Sequence, residues 1–408
     1  MRNKNVKSAS LPFVIQLSFF ILLILSGFVA WVYFTEQVKS KDRLSILQEK
    51  NHRSLFLEKI KTNISPKADT ISTLKNTRLY GLFSLHELGL DNTKKKIALI
   101  GNVPLFPKTG LYLSDKGNSL YLGKNTTLNG EVYVSSSGIR PTNIGYEKEK
   151  TREPSHIYTL KKSQVFLPKI ASELIQNIST LLQPKLWNTA GNILLDSTLK
   201  NSFYEPQLYI EIDTPKTLDN VELIGNIWIR STAPLTIGAN AKISDIIISA
   251  PKIYFKKGFK GRLQAFASEQ IYVEENCSFA FPSVLWTQTS KKKQSADSFP
   301  SLVLESGTHL EGYLGFYPIN TSSTNPAIDV KIYPEVDING VIYCEGLLSM
   351  EGRVAGTVFT SGLGVQRQGV LYKNHFVKGQ IDASKRSFAA LDFSFQQKTN
   401  KKVLQWLY

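Results

Sequence analysis

Residues 227–286 read IWIRSTAPLTIGANAKISDIIISAPKIYFKKGFKGRLQAFASEQIYVEENCSFAFPSVLW, and short alternating apolar segments return through them at nearly constant spacing. Ile227, Ile246, Ala265 and Val284 fall 19 apart, and Ile229, Ile248, Ala267 and Trp286 repeat that step one alternation later. A second segment returns at 18: Leu235, Ile253 and Ile271, then Ile237, Phe255 and Val273, then Ala241, Phe259 and Cys277. Residues two apart on a strand face the same side, so each column is expected to be one inward row, stacked by the constant step. The expected fold is mainly β: a right-handed parallel β-solenoid with an inserted amphipathic helix and an N-terminal transmembrane helix. The alternative is a β-sandwich whose strands are evenly spaced.

The chain has 408 residues, enough for a sizeable core, and a formal net charge of +16. Such a balance speaks about partners and says little about fold. Anionic lipid, acidic polysaccharide and nucleic acid are all compatible with it. The basic clusters Lys256, Lys257, Lys260 and Arg262, and Lys291, Lys292 and Lys293, are the candidate polyanion contacts. They lack the regularly interleaved aromatics of a nucleic-acid groove, which favours a solvated basic surface. Cys277 and Cys344 each sit in a strand-like alternation and are expected to be small core residues.

Arg2, Lys4 and Lys7 precede Leu11 to Phe34, an uncharged run of 24 residues. About 20 apolar residues cross a bilayer as a helix, so the run is expected to be an uncleaved signal anchor in contact with lipid. Lys39, Lys41, Arg43, Lys50 and Arg53 follow the span, so counting positive charges leaves its orientation open. A basic tail of residues 1–10, a single span and a large β-rich domain form a signal-anchor layout. It places residues 1–10 in the cytoplasm and the C-terminal domain outside a bacterial inner membrane. Residues 35–80 are expected to form a helical stalk and linker. The β domain is placed at 81–362, with a helical insert at about 141–205, and 363–408 is expected to cap it.

Leu99-Ile100-Gly101-Asn102-Val103 is echoed as Leu223-Ile224-Gly225-Asn226-Ile227, which suggests two passes of similar build. Leu111 to Leu113, Leu120 to Leu122 and Val132 to Val134 alternate cleanly and are expected to be the first rungs. Pro168 to Leu182 carries Ile170, Leu174, Ile175, Ile178, Leu181 and Leu182 on one side, the pattern of an amphipathic helix covering an open end or groove.

Gly340 and Gly356 lie 16 apart, each ahead of a β-branched stretch, and Asn129-Gly130-Glu131-Val132 has the same form. Glycine at such corners is expected to let the backbone turn with positive φ. Over Ile338 to Gly362 the chain resembles the bactofilin-type, polymer-forming β-solenoids, a resemblance that implies a scaffold role and self-association. Its layout of span, stalk and β domain also looks like that of type IV pilus and type II secretion accessory proteins. That likeness implies protein partners in an envelope assembly. Ala9-Ser10-Leu11 stands where a prepilin would carry its cleavable glycine.

No G-x-S-x-G elbow, H-E-x-x-H pair or phosphate-cradling glycine pattern occurs, and the five histidines are far apart. Glycosidic chemistry needs carboxylates converging on one face. Asp245, Glu269, Glu274 and Glu275 are dispersed among lysines, and the closer pair Glu335 and Asp337 flanks a turn. The expectation is therefore a non-enzymatic protein with no cofactor: a membrane-anchored structural or assembly protein of a bacterial envelope. A binding module for anionic polysaccharide or DNA is the alternative, and a β-helix carbohydrate-active enzyme is a third reading.

Overall fold

The computed structural model describes residues 10–62, 73–91, 94–144, 155–183, 198–290, 299–319, 327–386, 393, 395–396 and 400–407. The chain is mainly β, with an N-terminal apolar helix. It divides into two compact units, Met1–Ser65 and Pro66–Tyr408.

The first unit holds one helix, α1, Ser10–Thr62. At 1.5 Å per residue its 53 residues span about 80 Å. It is long and apolar enough to cross a membrane, and the large apolar side chains of Phe13 to Phe34 are exposed along it. A surface that apolar is at home in lipid and costly in water.

The second unit opens with β1 (Thr73–Tyr80), β2 (Phe83–Asp91) and β3 (Lys94–Asn102), which pair antiparallel in sequence order. Two coils and a final strand follow: β4 (Thr109–Leu113) with β5 (Leu120–Leu122), β6 (Thr127–Val134) with β7 (Ile139–Pro141), and then β8 (Ser155–Lys162). Helix α2 (Ser172–Leu182) comes next. Beyond it lie β9 (Thr198–Asn201), β10 (Leu208–Ile212), β11 (Lys216–Leu218), β12 (Glu222–Gly225), β13 (Ile227–Ser231) and β14 (Leu235–Ile237). Longer strands, each bent round the body, follow: β15 (Lys242–Phe255), β16 (Lys260–Val273) and β17 (Ser278–Thr289) with β18 (Leu302–Leu304). The climb ends with β19 (His309–Pro318), β20 (Val330–Ile332), β21 (Asp337–Met350) and β22 (Arg353–Arg367). Four short strands close the chain: β23 (Val370–Lys373), β24 (His375–Phe376), β25 (Gln380–Asp382) and β26 (Lys401–Leu407).

From β9 to β22 each coil pairs in parallel with the next, the opposite of the antiparallel ladders that a sandwich requires. The stack does not end at β22. Val358 pairs with Leu111 and Ile381 with Leu128, so the coils nearest the N-terminus continue the stack beyond the coils nearest the C-terminus. One inward column therefore runs Ile210, Ile229, Ile248, Ala265, Leu285, Leu314, Ile342, Val358, Leu111, Val132, Leu160. At about 4.8 Å per step the eleven levels extend about 48 Å. The residues read as first rungs thus lie at the far end of the stack.

The expected 18-residue step holds: Leu235, Ile253 and Ile271 pair in series, as do Ile237, Phe255 and Val273. The 19-residue step holds only once, between Ile229 and Ile248. Asp245, with φ of +62°, bulges out of β15, so that Ile248 meets Ala265 after 17 residues. Two extra residues between Phe279 and Val284 then bring Leu285, not Val284, opposite Ala265. Val284 and Trp286 consequently face the other way, outward into a second apolar layer. There the indole of Trp286 lies over Gly315, its partner one level on, where any Cβ would collide with the ring.

That second layer covers one flank of the stack. Trp228, Ile247, Phe266, Trp286, Tyr343 and Phe359 pack under β1–β3, α2 and Phe393. Strand β26 completes the small sheet beside β3. The stretch 363–408 is therefore divided among a hairpin on β22, a coil level at β25 and this cover, rather than forming an end cap. Strand β1 starts inside the stretch read as linker. The echo has no structural counterpart, since Leu99 to Asn102 lie in the antiparallel cover and Leu223 to Ile227 in the parallel body.

Helix α2 begins four residues after Pro168 and buries Leu174, Ile178 and Leu181. Asn177 donates to the Gly81 carbonyl at 2.8 Å, and Gln288 donates to the Ser179 hydroxyl at 2.7 Å. The segment that carries it connects β8 at one end of the stack to β9 at the other, so α2 lies along the flank instead of over an end.

The cover is pinned by a buried glutamine. Gln264 accepts from the Leu82 amide at 2.8 Å and donates to the Tyr80 carbonyl at 3.1 Å, beneath the turn at Gly81. Gln264→Leu leaves both backbone groups without these partners, at a cost of about 2 kcal/mol. A urea melt monitored by tryptophan fluorescence should show the loss, and an unchanged midpoint would remove this pin from the fold.

Candidate functional site

The glycines expected at corners sit inside strands. Gly312, Gly340 and Gly356 stack in register, and a Cβ on each would fall on the carbonyl oxygen of the residue one level before it: Ser283, Gly312 and Gly340 respectively. Gly356 has φ of +158° and Gly130 +115°, whereas Gly340 is not in the left-handed region. At Gly340 the need is close approach of two coils, not an unusual φ.

Three residues of the first basic cluster are committed to cross-coil pairs. Lys256 binds Glu274 at 2.7 Å, Lys257 binds Glu275 at 2.6 Å, and Arg262 reaches Asp245 at 2.6 Å. Lys260 is exposed beside them. Lys291, Lys292 and Lys293 lie outside the described residues. The Lys256 hydrogen bond holds the Glu274 carboxyl below the usual carboxylate range, against the opposing effect of burial. Exposed pairs of this kind contribute little stability each, and their carboxylates offset the positive field.

Of the carboxylates considered for catalysis, Glu269 and Glu274 line one groove, whereas Glu335 and Asp337 do not. Asp337 is gripped by Arg353 through two bonds of 2.8 and 2.9 Å, and Glu335 is exposed at the neighbouring turn. Glu345 is pushed above the usual range by burial, beside Tyr343, at a position that does not line the groove described next. Among the described residues, no group of three or more His, Cys, Asp or Glu side chains could hold a metal ion. Cys277 and Cys344 are buried and form no disulfide, and burial pushes the Cys277 thiol up to about 11.

A groove of about 580 Å³ lies on the outer face of β15 and β16. Tyr254 and Tyr272 stand side by side in register on successive coils, and Phe299, 63% exposed, leans on Tyr272 at 6.0 Å between ring centroids. Polar groups stand between the rings. The Tyr254 hydroxyl donates to Gln270 at 3.4 Å, Gln270 donates to the Pro300 carbonyl at 3.1 Å, and the Tyr272 hydroxyl donates to Glu305 at 2.8 Å. Burial, reinforced by Glu305, pushes the Tyr272 phenol up to about 12, so it remains a neutral donor. Lys252 and Glu269 stand 3.9 Å apart at the edge.

Compared with protein-family models, curated proteins and solved structures, the chain matches none. The site therefore rests on its own chemistry. Sequence reading missed Tyr254 and Tyr272, although the signal was present: they follow Ile253 and Ile271, the inward column of exact 18-residue step, and so must share the opposite face.

Proposed function

We propose that this chain is a non-enzymatic structural or assembly protein of a bacterial cell envelope. Helix α1 anchors it in the inner membrane, and a right-handed β-solenoid outside that membrane offers a rigid surface for protein contacts. The stack of parallel coils supports the solenoid reading, and the apolar length of α1 supports the anchor. The observation that carries the assembly role is the unequal finish of the inward column. Ile210 at one end is 4% exposed, whereas Leu160 at the other is 49% exposed, with Val165 and Phe166 exposed nearby.

Among the described residues β8 forms a ladder with β6 alone, leaving its other edge as a template for a further strand. Two copies joining edge to edge through β8 close as a two-fold pair. The cross-coil ion pairs weigh against a polyanion at the first cluster, because Lys256, Lys257 and Arg262 already have carboxylates beside them.

The test is the mass of the full-length protein in detergent, measured by light scattering over a range of concentrations at low and high salt. A dimer that survives salt and is lost in Leu160→Asp and Phe166→Asp is expected. A monomer at every concentration would overturn self-association through this end.

A further inference from the structure

We propose that the groove on β15 and β16 binds a neutral oligosaccharide, lying along the axis of the stack. This is independent of the assembly reading. Three aromatic side chains, Tyr254, Tyr272 and Phe299, supply apolar faces for the C–H surfaces of sugar rings. Between them Gln270, with a donor and an acceptor in one planar group, and the carboxylate of Glu269 match the vicinal hydroxyls of a pyranose. The size is within the range of ordinary ligand sites, about 300–1,000 Å³.

Charge decides the class of ligand. Glu269 and Glu274 both line the groove, with Lys252 as its one cationic lining residue among the described residues, and Lys252 stands beside Glu269. Glu274 is in turn paired with Lys256, so the carboxylates and lysines offset each other and leave no cationic surplus among the described residues to hold a polyanion, whereas uncharged hydroxyls can donate to the carboxylates. The site spans more than one coil, since Lys252 and Tyr254 come from β15, Gln270 and Tyr272 from β16, and Phe299 precedes β18. A chain-like ligand uses that length, and a single ring does not.

The full-length protein, held in a detergent without a sugar headgroup, would be titrated by calorimetry with cellohexaose, chitohexaose and maltohexaose, and with polygalacturonate as the anionic comparison. At least one neutral hexasaccharide should bind. Tyr254→Ala and Phe299→Ala should each weaken it about tenfold, the loss expected when a binding-site aromatic is removed. Phe166→Ala should leave it unchanged. Because Phe299 is largely exposed, its replacement keeps the fold, so an unaltered affinity in Phe299→Ala and Tyr254→Ala would overturn the assignment. So would the absence of binding by all three neutral probes, or tighter binding of polygalacturonate.

Discussion

Gly340→Ala should cost about 3 kcal/mol and lower the melting temperature by several degrees, although it adds one methyl group. That methyl would occupy the place of the Gly312 carbonyl oxygen, and Gly312 and Gly356 stand directly before and after it in the ladder. No side chain can move aside, because the obstacle is backbone held by parallel pairing on both sides. Two coils must part or the strand must buckle. Gly258→Ala is the informative comparison: its φ is +83° but nothing lies within 4 Å of the added atom. Only the left-handed backbone penalty applies there, about 1 kcal/mol. Equal losses in the two variants would show that close packing of coils at Gly340 is not what requires glycine.

The second large effect concerns acid. His86 lies buried in β2, within the cover, with its Nε2 3.2 Å from the Ser84 hydroxyl and, among the described residues, no hydrogen-bond partner at Nδ1. Burial, together with the nearby Lys401 ammonium, pushes its pKa down from 6.5 to about 4. In the unfolded chain the ring takes up a proton near pH 6.5; in the folded chain it resists until about pH 4. Stability from this group is therefore intact above pH 6.5 and is lost progressively as the pH falls to about 4, up to about 3 kcal/mol. The depressed carboxylates such as Glu274 act lower, as the pH falls below the ordinary glutamate value of 4.5. Denaturant melts between pH 7 and 4 should show a falling midpoint in the native protein and a nearly flat one in His86→Leu. A native midpoint unchanged down to pH 5 would contradict the burial of a neutral imidazole.

How much could be read from the sequence differs from one face of the stack to another. The face bearing Leu235, Ile253 and Ile271 was legible, because nothing interrupts its step and each residue meets its partner 18 positions later. The adjoining face was legible for one step and then lost. A bulge at Asp245 removes a residue from the count, and the Ala280–Ser283 excursion adds two, so Trp286 moves from the core to the covered flank. The second event has a local signal in Pro282, a residue that interrupts a strand, whereas the first turns on Asp245, whose carbonyl receives the Tyr80 hydroxyl from the distant cover.

The order of coils was not legible at all. An inward row of aliphatic residues states that a coil can stack, but not upon which other coil. Val358 could accept any such row and takes Leu111. The groove was half legible, for Tyr254 and Tyr272 follow from the 18-residue step, whereas Phe299 reaches Tyr272 only through the path of the chain before β18.

The seam between the two ends of the chain is the feature on which the architecture turns, and a cross-link measures it most directly. Thr127 and Gln380 are register partners on neighbouring parallel strands, and both side chains are accessible to solvent. Neighbouring strands lie about 4.8 Å apart, within the Cα separation that a disulfide accepts. Thr127→Cys with Gln380→Cys should form an intramolecular disulfide on mild oxidation, seen as faster migration on a non-reducing gel and a raised melting temperature. If the coils instead stacked in simple chain order, these positions would lie many levels apart. The double variant would then remain fully reduced and migrate as the native chain does, which would contradict the closed order of coils.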